Sequence, residues 1–111
     1  MRNNLAYLRH ILDAILRIES YLEGVPFSSF VKNKLLIAGV SRDLEIIGEA
    51  ANNVDNGFQK NHPDIPWPQM IALRNFLIHE YFGVSPKRIW QTVKHSLPQL
   101  KAMLEPLVQE K

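Results

Sequence analysis

The sequence predicts an all-α fold, an up-and-down bundle of four or five helices in one domain spanning residues 1–111. Apolar residues recur at steps of three, four and seven along most of the chain, the period of one helix face. No stretch shows the strict alternation of a half-buried strand. Most prolines fall between the periodic stretches, where they stop and start helices.

The first helix is expected over residues 4–23. Leu5, Leu8, Leu12, Ile15 and Leu22 form one stripe, and Tyr7, Ile11, Ala14, Ile18 and Tyr21 form a second beside it. Together they are wider than one neighbouring helix needs, which implies a central position or a face shared with another subunit. Gly24 is a natural stop, and Pro26 follows. Ser28 or Ser29 can cap a second helix whose stripe runs from Leu36 through Val40, Leu44, Ile47, Ala51 and Val54 to Phe58. It is expected to extend for about 30 residues, longer than an ordinary helix. Gly39 and Gly48 lie inside it and are poor helix formers, so close packing over a missing side chain is the preferred explanation.

Pro63, Pro66 and Pro68 make a stiff connector, since each fixes its own backbone and restricts its predecessor. A third helix is expected from Pro68 to Phe82, with Trp67 packed over its start and Gly83 at its end. Ser85-Pro86 reads as cap and first residue of a fourth, with Ile89, Val93, Leu97, Leu100, Leu104 and Leu107 as its stripe. Pro98 should bend that helix, because one carbonyl there loses its amide partner.

Composition narrows the function. The chain has 111 residues and no cysteine, which excludes disulfides, thiolate zinc sites and a cysteine nucleophile. No apolar run approaches the roughly 20 residues of a membrane span, and no leader pattern opens the chain, so a cytoplasmic protein is expected. A net charge of +2 is too small to argue for nucleic acid. Lys87, Arg88, Lys94, His95 and Lys101 nevertheless form a basic strip with no acid until Glu105. On charge alone it is a solvated helix face; following the segment described next, it becomes a candidate RNA-backbone contact.

That segment is Arg74-Asn75-Phe76-Leu77-Ile78-His79-Glu80-Tyr81. It gathers a permanent cation, a carboxamide, an imidazole and a phenol. Arginine neutralises phosphate and histidine moves protons near neutral pH, the two groups that metal-free cleavage of an RNA phosphodiester requires. On a straight helix Arg74 and His79 lie about 140° apart. Arg74 shares a face with Tyr81, and Asn75 with His79. A compact site then needs either a distorted helix end or a two-fold dimer that brings two copies of the segment to one cleft.

The chain resembles the HepT-type members of the HEPN superfamily, small helical proteins encoded beside a minimal nucleotidyltransferase. The resemblance lies in Arg74, His79 and Tyr81 as Arg-x-x-x-x-His-x-Tyr, with Asn75 after the arginine. It extends to Leu44-Glu45-Ile46-Ile47-Gly48-Glu49-Ala50-Ala51, Ile65-Pro66-Trp67, Ile89-Trp90 and Leu97-Pro98. It implies the toxin of a toxin–antitoxin pair, a metal-independent endoribonuclease without cofactor, with tRNA among the targets. It further implies a homodimer with the active cleft between protomers. The antitoxin would be a nucleotidyltransferase that transfers AMP to the motif tyrosine, here Tyr81.

The residue chemistry agrees with that implication. His79 can accept the ribose 2′-OH proton or protonate the leaving 5′-oxygen. Arg74 can hold the phosphate through its transition state, and Asn75 can orient the imidazole. Two other readings compete: a non-catalytic helical partner presenting substrate to a nucleotidyltransferase, and a plain dimeric scaffold with a closed seam and Arg74 buried in an ion pair, for which Glu49 is a better-placed partner than Glu80. No metal site is expected, because no His-x-x-x-His pair occurs and His79 and Glu80 diverge on a helix. Glu49, between apolar neighbours, is expected to be a buried partner for a cation. His62 is expected in the proline loop against a neighbouring helix, and His10 on the polar side of the first helix.

Overall fold

The computed structural model describes residues 3–79 and 85–109, with Phe76, Ile78 and His79 as backbone only. The protein is all-α, as expected, with no strand among the described residues. Helices α1 (Asn4–Leu22), α3 (Lys34–Asn53) and α5 (Trp67–His79) are three long rods. A fourth is composite: α6 (Pro86–Gln91), a π-turn at Thr92–Ser96 and α7 (Leu97–Gln109). Two short helices, α2 (Phe27–Phe30) and α4 (Asn56–Asn61), flank α3.

Helix α1 starts at an Asn3 cap, whose side chain accepts the Ala6 amide, and stops before Gly24, the residue with a left-handed φ of 72°. It packs on both α3 and α7 and buries Leu8, Ile11, Ala14, Ile15, Ile18 and Leu22. The two apolar stripes are thus used mainly inside one molecule. Their width is explained by the central place of α1, without a second subunit.

The long second helix is a correction. Its region divides into α2, α3 and α4, and the cap of α3 is Asn33, whose side chain accepts the Leu36 amide, rather than Ser28 or Ser29. Helix α3 ends because Val54 turns extended (φ −71°, ψ 137°). Local polar groups take over the freed backbone. Asn4 Oδ1 accepts the Asp55 amide at 3.0 Å, tying the start of α1 to this break. Gln59 Nε2 donates to the Val54 carbonyl at 3.0 Å. Asn56-Gly57, a pair that could end the long helix or only loosen its last turn, instead opens α4. Apolar periodicity carried on through the break, so polar side-chain bonding, which periodicity does not register, decided the boundary.

The proline connector behaves as expected. Trp67 is buried at the start of α5, and its Nε1 donates to the His62 carbonyl at 3.0 Å. The His62 ring lies 4.4 Å from that of Phe58. Ser85 caps α6 by accepting the Arg88 amide, with Pro86 in the first turn. Ahead of Pro98 the ladder widens: the Leu97 amide donates to the Thr92 carbonyl, five residues back. A proline at 98 can neither donate to the carbonyl of residue 94 nor tolerate it nearby, and a π-turn shifts that carbonyl's register. Pro106 sits inside α7 as well.

An ion pair between exposed Arg17 and buried Asp43 fastens α1 to α3. Arg17 Nε donates to Asp43 Oδ1 at 2.9 Å and Arg17 Nη2 lies 2.7 Å from the same oxygen. The Asp43 bond raises the Arg17 pKa above its ordinary value, with burial opposing. Neither residue stood out in the sequence, since an acid at one position and an arginine 26 earlier carry no local signal.

Candidate active site

The motif arginine sits where α3 and α5 cross most closely. A Cβ placed on Gly48 would stand 2.7 Å from Arg74 Cβ, 2.8 Å from the Arg74 amide nitrogen and 2.8 Å from the Met70 carbonyl oxygen. Only glycine admits that approach, as the sequence led one to expect. Gly39 is different: its nearest neighbour is the Tyr21 ring at 3.7 Å, an ordinary contact. The crossing fixes the root of the Arg74 side chain and brings the next residue of α3, Glu49, alongside its head.

Arg74 Nη1 lies 3.7 Å from Glu49 Oε2, and Arg74 Nη2 donates to Asn75 Oδ1 at 3.2 Å. Arg74 Nε is buried with no partner among the described residues. The guanidinium thus leaves its inner nitrogen buried and unbonded and presents its outer edge to Glu49 and Asn75. Arg74 retains 30 % of its side-chain exposure and Glu49 59 %. Glu49 is a cation's partner, as expected; it is not buried, because residue 49 faces outward one step past the crossing. An open pair of this kind differs from the closed ion pair that a purely structural motif would present.

Helix α5 continues as regular α-helix through His79. Within the described residues no distortion gathers Arg74 and position 79 onto one face; the expected end of this helix at Phe82 lies outside them. The His79 side chain and Glu80, Tyr81 and Gly83 lie outside the described residues. Asn75 is exposed and bonded to Arg74, an interaction between sequence neighbours that helical face arguments overlook.

The basic strip is partly engaged. Lys87, Arg88, Lys94 and His95 are all exposed. Lys94 Nζ stands 4.7 Å from the Trp90 ring centroid, a cation–π contact. Lys101 reaches Glu19 on α1 at 3.0 Å and is neutralised there. Arg88 lines a cavity of about 250 Å³ with Gln69, Leu73, Leu77 and Thr92, between α5 and the composite rod. Among the described residues no group of three His, Asp or Glu side chains could hold a metal ion, and no helix is long and apolar enough to cross a membrane.

The ribonuclease HepT-like family model matches residues 11–107. The chain belongs to this family. A Thermococcus cleftensis protein named as a probable ribonuclease HepT is 43% identical over 106 residues, 96% of each chain. A Methanocaldococcus jannaschii protein named as a candidate RNase is 37% identical over 100 residues, covering 90% of this chain and 92% of that one. Another candidate RNase, from Caldanaerobacter subterraneus, is 36% identical over 110 residues, 99% of this chain and 98% of its own. No solved structure matches. For a HepT-like chain, a partly open arginine held at a helix crossing fits a family of ribonucleases.

Proposed function

We propose that this HepT-like protein is a metal-independent endoribonuclease in which Arg74, Asn75 and His79 act on an RNA phosphodiester. The observation that carries the reading is the setting of Arg74. Its stem is locked at the Gly48 crossing, and its outer nitrogens remain within reach of solvent, as a phosphate-binding guanidinium requires. In this reading the 2′-oxygen attacks phosphorus, Arg74 stabilises the added negative charge, and the products carry a 2′,3′-cyclic phosphate and a 5′-hydroxyl. DNA, without the hydroxyl, survives.

The active unit in this proposal is a homodimer. A regular α5 puts Arg74 and His79 on separate faces, so two copies of the segment supply one cleft. Lys87, Arg88, Lys94 and His95 extend the RNA contact beyond it. The same reading makes the chain the cytoplasmic toxin of a toxin–antitoxin pair, with a nucleotidyltransferase as antitoxin and Tyr81 as the AMP acceptor. AMP on Tyr81 would set phosphate charge on the face of Arg74 and occupy the substrate's place.

Incubation with an RNA oligonucleotide, its DNA counterpart and an RNA blocked by 2′-O-methylation at the scissile residue tests the reaction. Cleavage of the first alone is expected, and cutting of the blocked RNA would overturn 2′-OH attack. Intact-mass analysis after incubation with ATP and the neighbouring nucleotidyltransferase tests the switch. One AMP on Tyr81 together with lost cleavage is expected; modification elsewhere, or retained cleavage, would refute it.

A further inference from the structure

Among the described residues, the large apolar side chain that the fold leaves most in water is Leu35, in the first turn of α3, at 85 % exposure. Tyr21, near the end of α1, keeps 41 %. With Asn33, Leu36 and Gly39 these two line a groove of about 320 Å³ between α1 and α3. Gly39 is the glycine that no helix crossing requires, since its nearest neighbour is the Tyr21 ring at an ordinary 3.7 Å. Glycine inside a helix needs a reason, and the groove supplies one: a side chain at 39 would stand in it.

Charge is one-sided at the same place. Lys32 and Lys34 bracket the Asn33 cap, both exposed, and neither meets an acid among the described residues. No acid stands between Glu23 and Asp43 in the sequence. Glu23 lines a different cavity, with Lys94, and Asp43 is taken up by Arg17. Arg42, further along α3, is paired with Glu45. Two cations at the start of a helix add to the positive end of its dipole, and α3 has no acid in its first turn to offset them. The surface is therefore apolar at its centre and cationic at its edge.

Those two halves select an occupant. A second copy docked about a two-fold axis would bring the same patch and set lysines against lysines. A nucleic acid would use the lysines and leave Leu35 in water. A protein with an acidic face around an apolar side chain satisfies both. Resting on the toxin–antitoxin reading above, we infer that the patch around Leu35 is where the nucleotidyltransferase docks, by an acidic face whose apolar side chain enters the groove. Leu35 lies about 20 Å along α3 from Gly48, at about 1.5 Å per residue. An enzyme held there grips the chain away from the motif and leaves Arg74 uncovered.

The test compares wild type, Leu35→Glu and the double variant Lys32→Glu with Lys34→Glu, all unmodified, with the neighbouring nucleotidyltransferase as the probe. Titration calorimetry gives the affinity, and intact mass over time gives the kinetics of AMP transfer. Both variants are expected to weaken the complex by about 10–100-fold. KM for the chain in AMP transfer rises with them, and kcat stays near the wild-type value. Melting temperature and RNA cleavage should match wild type, because these exposed side chains are not packed in the fold. Wild-type affinity in either variant would overturn the assignment. So would a raised KM for RNA in the lysine variant, which makes the patch a nucleic-acid surface. Loss of the homodimer in Leu35→Glu would overturn it as well, by making the patch an interface between copies. Those outcomes leave the toxin–antitoxin reading standing. A wild type that neither binds the nucleotidyltransferase nor accepts AMP from it removes that reading, and this assignment with it.

Discussion

Arg74 presents a guanidinium whose root is fixed at the Gly48 crossing and whose head is not closed off. Arg74→Ala is expected to reduce kcat/KM on RNA by about 10²–10³-fold, the loss typical of one transition-state charge stabiliser. Arg74→Lys should recover little of it, because an ammonium lacks the planar fork. Steady-state cleavage kinetics check both. The Arg17–Asp43 pair makes a separate prediction about stability. Removing one partner of a buried pair typically costs about 3–5 kcal/mol, and the partial exposure of Arg17 brings the expectation for Arg17→Ala to about 2–3. A lower urea midpoint at unchanged slope would show it. Because the Arg17 pKa is raised, its contribution is complete below its ordinary value and fades only as pH climbs through the arginine range. The stability difference between wild type and Arg17→Ala should therefore stay flat between about pH 5 and 9. Arg74 and Asn75 stood out in the sequence because residue type and spacing speak for phosphate chemistry; Glu49 was expected as a cation's partner but as a buried one, and it is exposed. The Arg17–Asp43 pair was not, because only the packing of α1 on α3 brings the two together.

Among the elements, the crossing of α3 and α5 matters most for the site. Gly48→Ala would force a Cβ against two backbone atoms of α5, Arg74 N and Met70 O, which cannot swing aside as a side chain can. Overpacking of this kind costs about 1–3 kcal/mol. At roughly 4 °C per kcal/mol the melting temperature should fall by about 4–12 °C. Cleavage should fall too, since α5 carries Arg74 with it, and calorimetry paired with an RNase assay would follow both. The sequence led to a close helix approach at Gly48 because glycine inside a helix needs a reason. It misjudged the extent of the second helix, where the apolar period continues past Asn53 while Asn4, Asn33 and Gln59 bond the backbone at the breaks. It foresaw trouble at Pro98, and the trouble takes the form of a π-turn that ends two residues ahead of it.

For the molecule as a whole, the all-α architecture was legible throughout, since helical period, caps and prolines agreed. What the first helix was for was not, because a doubled apolar stripe suits a central helix and a shared interface equally, and the packing of α1 on α3 and α7 favours the first. The case for a dimer accordingly rests on α5, whose regular course leaves Arg74 and position 79 on separate faces. Mixing inactive Arg74→Ala and His79→Ala proteins should restore part of the activity if two protomers share a cleft, and no recovery in confirmed mixed dimers would confine each site to one chain.

Cleavage of RNA without a metal is the activity on which the proposed function depends. The most direct measurement is the rate at which unmodified protein and His79→Ala cut tRNA and a defined oligonucleotide in excess EDTA, with product ends mapped chemically. Cleavage by the parent alone, leaving 2′,3′-cyclic phosphate, is the predicted result. A parent silenced by EDTA and revived by added divalent cation, or an equally active His79→Ala, would contradict it.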